Sequence, residues 1–245
     1  MVAEKITQKK AIFLEYYQSD RFKSELKLPN KPNFHHFRFE RFSERRVFKR
    51  LRDVVKDKET LINAVLRECP KNIFFSPLKW LDPVNVRRKT DKEIKDYMLS
   101  SPLYFDVDKE LVPRHTLDAT LENTQRLINY IENKTGRKPD WIVFSGSEGF
   151  HIYYWNWDDI PQQYDSADER IKAFIRSRKQ ILVELYKKEI MADGSVTADP
   201  WRILRVPGTL HGDTGLIAKA LNKLDDFSIE KTMFKSKVEK LGEKE

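Results

Sequence analysis

Tyr104-Phe105-Asp106-Val107-Asp108 is the stretch from which the rest of the chain is read. Side chains alternate between the faces of a strand, so Asp106 and Asp108 project together while Phe105 and Val107 turn to the core. Two carboxylates side by side at a strand end suit a hard divalent cation, which proteins hold with one or two carboxylates plus substrate phosphates. Alone, an Asp-x-Asp pair is weak evidence, because most such pairs are the solvated face of an ordinary strand. The weight comes from what accompanies it.

Of 245 residues, 40% are hydrophobic and 12% aromatic, enough for a real core in one large domain or two small ones. Lys plus Arg number 46 against 38 Asp plus Glu, a formal net charge of +8. Such a surplus favours phosphate-bearing partners, since clustered cations gain affinity by releasing counterions from nucleic acid. A solvated surface rich in Lys and Glu gives similar totals. The single cysteine, Cys69, excludes an internal disulfide and a Cys-rich structural zinc site. Met1-Val2-Ala3-Glu4-Lys5 has no apolar signal core, and no run approaches bilayer-spanning length, so a cytoplasmic protein without a membrane partner is expected.

Periodicity predicts helices over 4–17, 45–55 and 60–67, a capped helix from Thr90 and Glu93 to near Leu99, a long helix over 117–134 stopped by Gly136, and another from Ser166 towards Ile190. Strands are expected over 34–40, 72–76, 104–108, 141–144, 150–154, 203–206 and 215–218, with a short helix near 229–241. No repeat, low-complexity linker or composition shift marks a boundary. The expectation is one continuous α+β domain over 1–245: an N-terminal α/β part to 100, the site-bearing part over 101–220, and a C-terminal helix over 221–245.

Three further clusters fall in loops or at strand ends, where scaffolds present functional groups. Ser145-Gly146-Ser147-Glu148-Gly149-Phe150-His151 is a Gly-bounded turn whose amides and hydroxyl suit phosphate oxygens, although an ordinary hairpin reads the same way. Asp193-Gly194-Ser195-Val196-Thr197-Ala198-Asp199 could be a turn in which Asp and Gly do backbone work. The run from Arg202 through Arg205, Val206-Pro207-Gly208-Thr209-Leu210 and His211 to Leu216 could be a basic edge strand and a Pro-Gly turn.

Taken together and in this order, the segments resemble the small catalytic subunit of archaeal and eukaryotic DNA primases, in the archaeo-eukaryotic primase superfamily. Phe105-Asp106-Val107-Asp108 is similar to the strand bearing that family's first two metal-binding aspartates. Ser145-Gly146 through Gly149-Phe150-His151 resembles its nucleotide-binding Ser-Gly-x-x-Gly-x-His motif, and residues 193–216 resemble its third motif. Weaker likeness runs through Tyr16-Tyr17 and Phe74-Phe75-Ser76 to Pro83.

The resemblance implies a primase-polymerase fold with mixed or antiparallel sheets flanked by helices, and template-directed nucleotidyl transfer that makes or extends primers. It implies two divalent cations, Mg2+ or Mn2+, on Asp106, Asp108 and Asp193. Ser145, Gly146, His151, Arg205 and His211 would contact the nucleotide, and His35 or Arg38 would take the place of an N-terminal Arg that reaches the triphosphate. Partners would be a single-stranded DNA template and NTP or dNTP, with a large primase subunit or fused C-terminal domain, acting at the nucleoid. The family's zinc knob has no counterpart after Asp108, and no iron-sulfur Cys set is present, so neither zinc nor such a cluster is expected in this chain. Ser147 and Glu148 stand where the family often has two Arg, and Asp213 where many members have Lys, which removes positive charge beside the phosphates. Two alternatives remain: a primase-like polymerase of a mobile element or repair pathway that only extends primers, and a non-catalytic nucleic-acid-binding module.

Overall fold

The computed structural model describes residues 2–86, 97–161, 164 and 166–234. In chain order, helices α1 (Val2–Gln18) and α2 (Asp20–Glu25) precede strands β1 (Phe37–Glu40) and β2 (Phe48–Arg50). Helix α3 (Lys58–Glu68) leads to β3 (Asn72–Phe75) and β4 (Leu103–Asp108), and α4 (Leu117–Thr135) to β5 (Trp141–Phe144) and β6 (Gly149–Tyr154). Helix α5 (Ala167–Tyr186) and the single turn α6 (Gly194–Thr197) come before β7 (Leu204–Arg205) and β8 (Lys219–Leu221).

The strands form two four-stranded sheets, ordered β2-β1-β3-β7 and β4-β6-β5-β8, and every pairing is antiparallel. Alternation along β4 decides how the layers stack. Leu103, Phe105 and Val107 are fully buried with Phe150 and Ile152 of β6, against Leu127, Ile128 and Ile131 of α4 and Leu182 and Leu185 of α5. Tyr104 turns the other way, into a second core that joins the sheets through Phe37, Phe75 and Tyr153 under α1 and α3. Burying each such side chain stabilises by about 1.5–3 kcal/mol, so the strand is pinned from both faces and its acids have little freedom to move.

Local signals explain where the helices begin and end. The Thr116 hydroxyl accepts from the Ala119 amide at the start of α4, and Gly136 ends that helix; Asp57 and Ser166 cap α3 and α5 in the same manner. No described helix is long and apolar enough to cross a membrane.

Several sequence expectations are corrected. Residues 45–55 are not a helix: Phe48–Arg50 is an edge strand paired with Arg38–Glu40, and Val47 and Val54 of the supposed apolar face are exposed. A 3.6-residue spacing of valines fits a helix, but the neighbouring strand supplies backbone partners that periodicity does not register. The strand expected over 34–40 begins only at Phe37, after a 3-10 turn at Pro32–Phe34, and α5 ends at Tyr186. The last strand lies at Lys219–Leu221 and not at 215–218, where Gly215 adopts a positive φ. Of the C-terminal helix, residues 224–226 and 230–232 form 3-10 turns; its remainder from 235, and most of the helix expected from Thr90, lie outside the described residues.

The turn after β7 is locked to the N-terminal helices. Gly208 has φ of +88°, and a Cβ there would lie 2.5 Å from the Glu25 carbonyl and Leu26 Cα. The Tyr16 hydroxyl donates to the Gly208 carbonyl at 2.7 Å, and the Lys27 amide donates to that of Pro207 at 3.1 Å. Gly208→Ala should therefore destabilise by roughly 2–3 kcal/mol, left-handed strain and overlap together, seen in thermal melting as a drop of about 5–10 °C.

Candidate active site

Register places the acids before any side chain is considered. Asp106 of β4 lies opposite His151 of β6, and Asp108 opposite Gly149. The third acid arrives from a distant segment: the Asp193 amide donates to the Asp106 carbonyl at 2.8 Å, just where α6 begins. Asp106 and Asp108 share a face of β4, and Asp193 is tied to its backbone beside them.

The carboxylates are not equivalent. The Asp108 carboxylate accepts from the Lys109 amide at 2.7 Å, and that of Asp193 from the Ser195 amide at 2.8 Å, so each caps a turn with one oxygen and leaves the second for a ligand. The Asp106 side chain is only 18% exposed. Burial, then the like charges of Asp108 and Asp193, push its carboxyl up to about 7, against the opposing pull of Arg202 and Arg205. His151 Nε2 lies 3.6 Å from the Asp106 carboxylate, too far for a hydrogen bond. Burial and the two arginines hold the His151 ring down to about 3, so it is neutral at pH 7 and the contact is no ion pair.

A cationic wall faces these acids. Arg205 donates from Nε to the Ser145 carbonyl at 2.9 Å and from Nη1 to the Asn72 side chain. Burial lowers it only to about 10, so it stays charged. The His211 Nδ1 accepts from the Asp213 and Thr214 amides, both at 3.2 Å, which fixes the proton on Nε2 as a donor for an incoming oxygen. Gly146, buried with φ of +86°, explains how these turns approach: a Cβ there would sit 2.9 Å from His211 Cβ. Its contribution is close packing. Ser145 lends its carbonyl to Arg205, and its side chain remains partly exposed.

Arg38 and His35 part company. His35 is buried, its Nδ1 bound to the Ser76 carbonyl at 2.8 Å, with burial holding it down to about 4. Arg38 donates from Nε to His36 Nε2 at 2.7 Å and lines a cavity of about 130 Å³ with Ser76, Trp80, Asp199 and Trp201. The Tyr104 hydroxyl donates to the Asp199 carbonyl at 2.7 Å, so this cavity adjoins the acid-bearing face of β4. A larger cleft of about 430 Å³ lies elsewhere, between Val112–Pro113–Arg114 and α4, and holds none of the expected site residues.

The two acids that depart from the family pattern are each neutralised. Glu148 pairs with Lys109, and Asp213 with Lys71 at 2.8 Å, while Lys9 of α1 donates to the Asp213 carbonyl at 3.0 Å. Two residues absent from the sequence-level set belong to the cleft: Arg202, whose charge bears on Asp106 and His151, and Asn72, which holds Arg205 and also accepts from the Gly212 amide at 2.6 Å. A cation just ahead of a short strand and a polar residue opening the apolar β3 were their only signals.

Among the described residues, no three His, Cys, Asp or Glu side chains are gathered closely enough to enclose a metal ion unaided. The donor set nevertheless fits a hard cation. All its atoms are carboxylate oxygens, and the largely buried Asp106 stands under the like charges of Asp108 and Asp193. Mg2+ is ordinarily bound through one or two carboxylates, with waters and substrate phosphates completing its shell.

No protein-family profile matches the chain. It is 24% identical to the DNA primase small subunit PriS of Saccharolobus islandicus strain M.14.25 / Kamchatka #1, over 91% of this chain and 79% of that protein. It is 27% identical to the DNA primase small subunit PriS of Pyrobaculum islandicum, over 69% of this chain and 66% of that one. The fold resembles the polymerase domain of Mycobacterium tuberculosis ligase D, solved in complex with DNA, with a TM-score of 0.57 at 13% identity, over 91% of this chain and 86% of that one. The Asp strand, the Ser-Gly turn and the Arg-to-His run thus lie together on a fold like that of the ligase D polymerase domain, and over most of its length the chain is similar in sequence to DNA primase small subunits.

Proposed function

We propose that the chain is a primase-type nucleotidyltransferase that joins nucleotides on a single-stranded DNA template, with Asp106, Asp108 and Asp193 as holders of Mg2+ or Mn2+. The observation that carries this reading is the backbone bond from Asp193 to Asp106, which joins a remote acid to the strand pair. Likeness to small primase subunits over most of the chain supports the class of reaction.

Phosphoryl transfer asks a protein chiefly for position and charge. Divalent cations supply positive charge against the attacking 3′-hydroxyl and the triphosphate. Arg205, held by Ser145 and Asn72, presents a fixed guanidinium to phosphate oxygens, and His211 offers Nε2–H beside it. Arg202 adds charge near Asp106, Arg38 reaches the cavity beside Tyr104, and neutral His151 sits next to the Asp106 carboxylate. Since these residues span Arg38 to His211, the described chain acts as one catalytic unit. A larger subunit or a further domain is the partner that family likeness adds, and co-purification tests it. A merely binding module is disfavoured, because Glu148 and Asp213, the acids that argued for it, are both matched by lysines.

Labelled nucleotides on unprimed single-stranded DNA test the activity, and a pre-annealed primer separates starting chains from extending them. Asp108→Ala or Asp193→Asn should lower incorporation at least about a thousandfold and leave single-strand affinity within about threefold. Near-normal synthesis by either variant would remove the metal assignment.

A second consequence concerns stability. The folded Asp106 carboxyl titrates near 7, above its unfolded value of about 3.9, so the native state binds this proton more tightly than the unfolded chain does. Its penalty is absent below about pH 4, grows between pH 4 and 7, and is complete above that window. In metal-free protein at pH 8, Asp106→Asn should melt several degrees higher than wild type, a gain on the order of 2 kcal/mol. The advantage should vanish by pH 4, and Mg2+ should raise the melting temperature of wild type only. Equal melting of the two proteins at pH 8 contradicts the buried-charge account.

A further inference from the structure

The face of the first sheet that carries Arg205 continues outward to the edge strand β2. Register sets Arg50, Arg38, Phe74 and Arg205 in one cross-strand row, and Phe48, Glu40 and Asn72 in the next, so all share a face. Along it, rings and guanidinium groups touch in series. Arg46 Cζ lies 4.9 Å over the Phe48 ring, the Phe48 and Phe74 rings are 5.9 Å apart, and Arg205 Cζ lies 5.1 Å over Phe74. The inner end is buried, with Arg205 and Phe74 at 8% and 9% exposure, whereas Phe48 at the outer end is 40% exposed beside Val47 at 41%.

Phe48 and Val47 expose apolar surface next to each other at a sheet edge, beyond what packing on Phe74 covers. Their surroundings give a reason. Residues 41–52 hold six Lys or Arg and one acid, Glu44. Arg41 and Lys49 turn to Glu68 on α3, and Arg50 donates to the Val84 and Val86 carbonyls. Arg45, Arg46 and Arg52 are exposed, with Arg46 3.5 Å from the Glu40 carboxylate.

We propose that this face is a stacking track for single-stranded DNA: an unpaired base lies on the Arg46–Phe48 stack, Arg45, Arg46 and Arg52 meet the flanking phosphates, and the strand is led inward past Phe74 towards Arg205. Flat rings and guanidinium planes accept any base, while cations follow the backbone. A duplex keeps its bases stacked on one another and offers this ring nothing. The three exposed arginines call for an anionic occupant, and the polyanionic backbone of a single strand supplies that charge beside an unpaired base for the ring. The identity of the strand as template rests on the polymerase reading; the stacking itself does not.

The test is fluorescence anisotropy with a labelled dT oligomer and, separately, a blunt duplex, using the full chain and its Phe48→Ala, Phe48→Trp and Arg46→Gln variants, each first checked by thermal melting. Expected are about a tenfold loss of single-strand affinity for Phe48→Ala with duplex affinity within twofold, near-normal binding by Phe48→Trp, and for Arg46→Gln a salt dependence shallower by about one phosphate contact. A folded Phe48→Ala that binds the dT oligomer as wild type does, or that loses single strand and duplex equally, overturns the proposal, as does wild type that ignores single strands. Manganese-linked uptake of nucleotide by wild type, followed by calorimetry, reads the acid cluster separately, so the track and the catalytic reading can fail independently.

Discussion

The amide of Asp193 donates to the carbonyl of Asp106, and through that bond a carboxylate 85 positions beyond Asp108 enters the neighbourhood of the strand pair. Three like charges do not gather unaided. The work that gathers them is done by residues on either side of the acids, which have no electrostatic stake in the outcome. Phe105 and Val107 are fully buried on one side of β4, and Val196 is fully buried in the turn that Asp193 opens. Apolar burial of this kind, about 1.5–3 kcal/mol per large side chain, exceeds what partly solvated carboxylates lose by standing together. The acids are therefore positioned by the fold against their own preference, which is the condition in which a cation gains most by binding.

The opposite wall is built by a different means. Asn72 opens β3, and its side-chain oxygen accepts from Arg205 and from the Gly212 amide while its nitrogen donates to Glu40 at 3.0 Å. One amide thus ties β1, β3, β7 and the turn bearing His211. Every donor so fixed is preorganised, which is where sites that hold developing charge gain over water.

Much of this could be read from the residues. The Asp strand, the strand that begins at Gly149, and the long helix ending before Gly136 follow from alternation, period and caps, all of them local signals. What escaped was non-local. Val47, Leu51, Val54 and Val55 obey a helical period, yet Phe48–Arg50 became a strand because β1 lay beside it. Asn72 and Arg202 belong to no period and matter only through what the fold brings to them. His35 and Arg38 likewise part because His35 closes the 3-10 turn at Pro32–Phe34 while Arg38 lies within β1, a boundary that alternation alone did not mark.

The same limit governs charge. Read along the chain, Glu148 and Asp213 subtract from a phosphate-binding wall. Read in space, Glu148 meets Lys109 and Asp213 meets Lys71, with Lys9 at its carbonyl, so each acid serves to hold a lysine at the rim. The sign of a site is a property of its pairs, and pairs form across sequence distance. Here the exchange has a structural consequence: part of the cationic rim comes from α1, the first helix of the chain, and not from the turn itself. Because the Tyr16 hydroxyl of that same helix bonds Gly208, the N-terminal helix both braces the His211 turn and charges its edge, and the two contributions stand or fall together.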